Sequence, residues 1–370
     1  MLTAQTDFIA RSCKKAGDYI TNKIDIRSMN LEAVTNLIVD LGQPKFRALQ
    51  LFKWLQSGVD SFDEMTNIPI TLRNKLDEIS YIATVKALRK YVSKIDGTVK
   101  YVYELYDGEL IESVLMKYEH GYTVCISTQV GCRMGCKFCA SGLYGLTRNL
   151  TASEMLAQIT YAQRDNGIRV SNVVMMGMGE PLDNFDNSIA FLKLVSDDNG
   201  LNIGLRHISL STSGVVSGIK KLAEYNLPIT LSISLHAPND EIRNQTMPVN
   251  KKWNIEALLN ACREYQKVTT RRISFEYALI EGVNDSDDNA KELAHRLKGI
   301  MCHVNLIPAN PVKENTFKKP DRKAIIAFQK KLELLGVTAT IRRTLGADID
   351  ASCGQLKKKT KEEIDGASIC

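Results

Sequence analysis

Residues 122–139 read YTVCISTQVGCRMGCKFC. The first seven, rich in β-branched residues, suit a strand over 122–128. Cys132, Cys136 and Cys139 follow within eight residues. Three thiols in one loop can converge on a metal centre, because thiolates are soft ligands for iron–sulfur clusters or zinc. Three local ligands leave one corner of a four-iron cluster unfilled by protein, and a catalytic centre needs such an open position. The other reading is a structural zinc site with Cys125 as fourth ligand. Zinc sites favour paired short knuckles, and this chain has no second one.

From this strand onward the pattern alternates. Strands are predicted at 172–176, 207–211, 229–235, 272–280, 302–307 and 337–342, with helices at 152–164, 187–196, 215–225, 255–267, 287–297 and 322–335. Repeated βα units imply an α/β fold, a parallel sheet or barrel with right-handed crossovers. Toward the N-terminus, 100–106 and 110–118 flank Asp107-Gly108, a hairpin signal. The first 95 or so residues read as helical, with 31–41 and 44–55 spacing apolar residues three and four apart, Gly42 as a stop and Pro44 as a start. They hold 14 Lys and Arg against 10 Asp and Glu, a net +4 of the total +6. An RNA-facing module and a solvated helical surface both fit that balance.

Composition narrows the class. A length of 370 residues suits two to three domains, and 44% hydrophobic with 24% charged residues excludes general disorder. The longest apolar stretches, 172–179 and 229–235, fall far short of the roughly 20 residues that span a bilayer. Residues 1–15 carry no hydrophobic export segment, so a reducing cytoplasm is expected. Nine cysteines there point to metal binding or catalysis rather than to a disulfide framework.

The remaining motifs gather at one end of the predicted sheet. Gly177 to Leu182 follows the 172–176 strand, Ser211 ends the next, Ser234, Leu235 and His236 end the one after, and 308–311 follows 302–307. Carboxyl ends of strands are where α/β barrels place their active sites. GMGEPL lacks the third glycine of a dinucleotide fingerprint. By residue type alone, Cys125 reads as a small core residue, Glu112 as an exposed strand glutamate and His236 as a structural histidine.

The CxxxCxxC run after a strand resembles the radical S-adenosylmethionine (SAM) superfamily. CISTQVGCRMGCKFCASG, NVVMMGMGEPL, LSTSGVV, SLHAPNDEIR, NLIPANP and GADIDASCGQL together resemble, more narrowly, the RlmN-type adenine-C2 methyltransferases of ribosomal and transfer RNA, from about residue 31 to 356. The resemblance implies a partial (β/α)6 radical SAM barrel with a small N-terminal helical accessory domain. It divides the chain into a helical RNA-engaging domain (1–97), a β-hairpin connection (98–117), the radical SAM core (118–346) and a tail carrying Cys353 (347–370). It further implies one [4Fe–4S] cluster on Cys132, Cys136 and Cys139. SAM would be bound by Gly179, Glu180, Ser211, Ser234, Leu235, His236 and Asn310. A carboxylate at Glu180 suits an ammonium group, and glycines let backbone approach a ligand.

The implied chemistry follows from the substrate, because C2 of adenine is electron-poor and cannot attack the SAM methyl as a nucleophile. Cys353 first takes a methyl from one SAM by displacement, as a thiolate. A second SAM is cleaved reductively to a 5′-deoxyadenosyl radical, which removes hydrogen from that methyl, and the carbon radical adds to C2. Glu112 then accepts the C2 proton, and Cys125 attacks the Cys353 sulfur to leave a transient disulfide. Implied partners are 23S rRNA and tRNA, and an electron donor such as flavodoxin or ferredoxin, for a monomer that needs no membrane. Arg206, Arg271, Arg272, Arg342, Arg343 and 357–359 are candidates for phosphate contacts. Two departures stand out: Ser352 where the family commonly has alanine, and a polar N-terminal extension of about 30 residues. The nearest rival is the antibiotic-resistance relative that methylates C8, from which FRALQLFKWL, GEPL and NLIPANP differ toward the C2 enzyme. A more distant rival is a non-catalytic zinc module that binds RNA.

Overall fold

The computed structural model describes residues 23–310 and 317–356; most of the N-terminal extension, 357–359 and Cys370 lie outside them. Ten strands form the main sheet: β1 (Lys86–Val92), β2 (Val99–Glu104), β3 (Leu110–Tyr118), β4 (Gly121–Cys125), β5 (Val170–Met175), β6 (Ile208–Thr212), β7 (Thr230–Ser234), β8 (Ile273–Leu279), β9 (Cys302–Pro308) and β10 (Ala339–Ile341). They lie side by side in chain order, and the two ends, β1 and β10, do not meet. Strands β4 to β10 are parallel and β1 to β4 antiparallel.

Three helices precede the sheet: α1 (Leu31–Asp40), α2 (Phe46–Ser57) and α3 (Ile70–Ile79). Seven more accompany the parallel strands: α4 (Ala152–Asn166), α5 (Phe185–Val195), α6 (Val216–Glu224), α7 (Asp240–Thr246), α8 (Ile255–Thr269), α9 (Asp287–Leu297) and α10 (Arg322–Leu334). Strands β4 to β9 each lead into a long helix, which makes six βα units, and β10 adds a strand beyond them. This is the partial barrel that the resemblance implies, within the α/β class that the alternation predicts. Helix starts follow their caps. Thr151 and Glu154 form a reciprocal capping box on α4, and the Asn254 and Asp321 side chains accept from the backbone of α8 and α10.

Among the described residues the helical reading of the N-terminal segment holds from Leu31 to Ile79. It fails at Ile24–Asp25, which pairs with Ser80–Tyr81, and at Lys86–Val92, which pairs with β2 from Lys86↔Glu104 to Val92↔Val99. A seven-residue segment with mixed polarity does not distinguish helix from strand by period, and the open side of β2 decides it. Lys86, Arg89 and Lys90 then place charge on an edge that would otherwise invite pairing. The 100–118 hairpin is accordingly an interior part of one continuous sheet, bonded to β1 on one side and β4 on the other.

The helical segment is fastened to the barrel by Arg27, which is fully buried. Its guanidinium donates to the Ala83 carbonyl (3.3 Å) and to Thr160 Oγ1 of α4 (2.7 Å). Burial lowers its pKa to about 10, so it stays charged at neutral pH. One apolar core runs from Ile38 and Phe52 in the N-terminal helices through Leu156 to Phe328 of α10.

Candidate active site

The cysteine loop springs from a short antiparallel ribbon, Gln129–Gly131 with Leu146–Asn149. Gly131 has φ +77, and a Cβ there would lie 2.0 Å from the Gly145 carbonyl oxygen, which accepts the Cys132 N–H at 2.9 Å. Only glycine permits that closure. Cys132, Cys136 and Cys139 line one cleft of about 1040 Å³ at the carboxyl ends of the parallel strands. Burial pushes the Cys132 thiol up to about 12 and raises those of Cys136 and Cys139, with repulsion among the three adding to it. Thiols in this condition ionise when they bind a cation. Among the described residues, no three His, Cys, Asp or Glu side chains close around a single ion. Three cysteines from one eight-residue loop, all lining this cleft, suit three irons of a four-iron cluster.

The same cleft carries most of the residues expected to hold SAM. Gly179, Glu180, Ser211, Ser234, His236 and Asn310 all line the same cleft. Glu180 is buried, and its two oxygens accept from Leu182 N (3.0 Å) and Ser213 N (2.6 Å), so it ties the loop after β5 to the loop after β6. Burial raises its pKa against those hydrogen bonds. Gly179 serves packing as well as access: at φ +110, a Cβ would come within 2.7 Å of both Gln129 and Thr128. Leu235 is not brought to the wall. Its side chain is buried in the core, and its backbone N donates to Glu276 O at 3.1 Å.

His236 adopts a left-handed φ of +55. Its Nδ1 accepts the Ala278 N–H at 2.8 Å, which assigns the ring proton to Nε2, and the ring meets Phe138 edge to face at 4.7 Å. Burial, with Arg243 adding to it, pushes the pKa down to about 3. The imidazole is therefore a neutral donor facing the cleft. In the unfolded chain it takes up a proton near 6.5, so the stability it contributes is complete above that pH and is lost as pH falls toward 3. Unfolding free energies should show about 1.5 kcal/mol less stability at pH 5 than at pH 6.5 from this group. The His236→Asn variant, which tolerates the left-handed backbone, should lack that component. Equal slopes in the two proteins would reject a neutral buried His236.

A second cavity of about 660 Å³ adjoins the first, and Cys353 lines both. Cys125 lines only the second. Burial pushes the Cys125 thiol up to about 12; Cys353 adds to the rise and Arg342 opposes it. The Cys353 carbonyl accepts from Asn310 Nδ2 (3.0 Å), Ala140 N donates to Gly354 O (2.8 Å), and Ser141 Oγ to Leu356 O (2.6 Å). The loop carrying Cys353 is thereby docked onto the cluster loop. Both thiols are free.

Glu112 departs from the exposed glutamate that its residue type suggests. It is 1% exposed, because both faces of β3 are covered over 110–116, and Lys100 Nζ lies 3.8 Å from its Oε1. It shares a face with Val114, which pairs with Cys125, but it lines neither cavity itself.

Three residues with defined places carry no role in the sequence reading above. Glu276 of β8 lines the first cleft and accepts from Ser274 Oγ (2.9 Å) and Asn305 Nδ2 (2.8 Å), with Arg342 at 3.8 Å. Its one signal is a carboxylate in the otherwise apolar run ISFEYAL. Arg243 of α7 is fully buried and donates to the carbonyls of Ser213 (2.6 Å), Ser234 (3.1 Å) and Leu235 (3.1 Å), holding two cleft loops together. Lys100 is the third. Among the candidate phosphate ligands, Arg342 and Arg343 reach the cavities. Arg271 and Arg272 lie before β8, at the amino end of the sheet, and Arg206 lies before β6.

Residues 126–294 match the profile of the radical SAM superfamily, and 24–82 that of the ribosomal RNA large subunit methyltransferase N-terminal domain. A probable dual-specificity RNA methyltransferase RlmN from Alkaliphilus oremlandii is 56% identical over 91% of this chain and 98% of its own. A protein of the same name from Clostridioides difficile is 50% identical over 92% and 99%. The crystal structure of a radical SAM methyltransferase from Sphaerobacter thermophilus superposes with a TM-score of 0.86 at 43% identity, covering 90% of this chain and 99% of that one. Identity above one half along nearly the whole length, together with the shared fold, shows that the chain belongs to the RlmN family of radical SAM methyltransferases.

Proposed function

We propose that this protein methylates C2 of an adenine in RNA, with 23S rRNA and tRNA as substrates, through a methyl group carried on Cys353. The observation that supports this reading best is the position of Cys353 in the wall shared by two cavities. One holds the three loop cysteines with Glu180 and His236, and the other holds Cys125. A single sulfur can thus meet a methyl donor on one side and a nucleobase on the other.

Cys132, Cys136 and Cys139 would hold a [4Fe–4S] cluster, and Gly179, Glu180, Ser211, Ser234, His236 and Asn310 would hold SAM. When bound, these supply the one-electron chemistry that activates the carried methyl. The protein's own residues do the rest. Cys353 gives up its thiol proton and accepts the methyl by displacement from the sulfonium. Glu112, one alternate residue beyond the wall residue Val114, takes the C2 proton after a small side-chain movement. Cys125 then attacks the Cys353 sulfur. The bond from that sulfur to the carried carbon breaks, and the carbon leaves with the electron pair and takes up a proton to complete the methyl. A Cys125–Cys353 disulfide forms, which an external two-electron donor returns to thiols. The one electron left over from the radical addition would pass back to the cluster.

The helical segment fits an RNA-engaging role. Phe46 on α2 is 58% exposed, with the Arg47 guanidinium 4.9 Å from its ring centre, a pairing suited to a base or a phosphate. Splaying of the target base is required to bring C2 into the cavity. Among the described residues no helix is long and apolar enough to cross a membrane. A cytoplasmic monomer served by flavodoxin or ferredoxin completes the reading.

The test is a product analysis. Protein purified without oxygen should be brown and, given SAM, a reductant and an unmethylated rRNA fragment, should yield 2-methyladenosine by nucleoside mass spectrometry. Formation of 8-methyladenosine would move it to the C8 chemistry. A colourless protein with stoichiometric zinc would overturn the enzyme reading.

A further inference from the structure

Lys100 lies on β2 with its side chain 4% exposed. Its ammonium sits 3.8 Å from Glu112 Oε1 and donates to the Asp350 carbonyl at 3.1 Å, over the ring of Tyr91 from β1. Asp350 is three residues before Cys353 and adopts a left-handed φ of +49, so its carbonyl direction is set by a turn that few residues adopt unaided. The rest of this flank of the loop is held by the turn joining β1 to β2. Ser93 Oγ and Lys94 N donate to the two carboxylate oxygens of Asp348 (2.7 and 2.9 Å), and Gly346 N donates to Asp96 Oδ2 (2.9 Å). Those bonds hold the loop alone. The Lys100 ammonium touches both the loop and the buried carboxylate.

We propose that Lys100 is a positioning residue: one buried cation binds the Glu112 carboxylate and the Cys353 loop together, and so sets the proton acceptor against the sulfur that carries the methyl. The inference rests on the roles proposed above for Glu112 and Cys353. A carboxylate buried this deeply is costly unless a counter-charge lies beside it, and Lys100 is that charge. Supplying that charge from the same ammonium that orders the loop makes the placement of the carboxylate and of the loop depend on one group. A purely structural ion pair would stabilise the sheet without affecting how the reaction divides between its steps.

The experiment compares Lys100→Met, which keeps most of the stem and removes the charge, with Lys100→Arg in the full-length holoenzyme. Four quantities are read: Cys353 methylation by peptide mass spectrometry, covalent protein–RNA adduct on denaturing gels, released product, and amide deuterium exchange of 346–354 without SAM or RNA. Lys100→Met should methylate Cys353 within about twofold of wild type, release product at least about tenfold more slowly and accumulate adduct, in line with loss of an effective base. Its loop should exchange faster, and Lys100→Arg should restore all four.

Wild-type release by Lys100→Met, or a uniform fall in every step that follows the loss of folded protein, would overturn the proposal. Should the single variant fail to fold, Lys100→Met combined with Glu112→Gln removes both charges. That double variant should release product no more slowly than Glu112→Gln alone, and an additive further loss would overturn the coupling. Absence of methyl on wild-type Cys353, or normal release by Glu112→Gln, would overturn the underlying roles as well, and is distinguishable because it appears without any change at Lys100.

Discussion

Cys125→Ala should stop the enzyme with its RNA still attached: released methylated product falls to background while a Cys353-linked protein–RNA adduct accumulates. The two sulfurs line one cavity, and the β3–β4 register places Cys125 opposite Val114 of that wall. Replacing a small buried thiol by alanine costs about 1 kcal/mol, so the barrel should fold and the earlier steps proceed. The result is read on a denaturing gel, where nuclease digestion should leave a nucleotide remnant mapped to Cys353. Free methylated RNA without adduct would show that Cys125 does not resolve the intermediate. Burial makes Cys125 a reluctant thiolate, with Arg342 as the nearby cation that opposes this. The resolving step is therefore expected to be slow below neutral pH and faster as pH rises.

Cys132→Ala should abolish RNA methylation at an earlier point. The variant should be colourless with little bound iron, because two cysteines cannot replace three corners of ligation. The loop should keep its course, since Cys132 is held to Gly145 through its backbone N–H and Gly131 closes the ribbon regardless of the side chain. Methyl that still reaches Cys353 in this variant does so by displacement alone, so peptide mass spectrometry separates the first transfer from the chemistry that follows. Normal RNA turnover by Cys132→Ala would remove the basis for the cluster assignment. Both experiments use the same RNA fragment, and together they place the block before or after attachment of the base.

Much of this site is legible in the chain because its information is local. CxxxCxxC needs only eight residues, and Gly179-Glu180, Ser211, Ser234 and His236 fall at strand ends that alternation alone locates. Leu235 shows the limit of reading by motif: it sits between two cleft residues in sequence, yet its side chain points into the core. Glu112 shows another. A glutamate on a hairpin strand reads as exposed, and nothing within ten residues announces that both faces of β3 will be covered over 110–116.

What the sequence determined by itself is the alternation of strand and helix, the end of the sheet where the motifs gather, and the loop that carries three cysteines within eight residues. Each depends on spacings shorter than one βα unit. Tertiary structure alone decided that Lys86–Val92 is a strand, since pairing with the open side of β2 outweighs a weak local preference. It also decided that the segment around Cys353 docks on the β1–β2 turn and on the cluster loop, through bonds such as Ser93 to Asp348 and Ser141 to Leu356 that join residues more than 200 apart. Contacts of that separation leave no period in a sequence. They exist only once the barrel has brought both partners to one end, and there Lys100 joins Glu112 to the Cys353 loop.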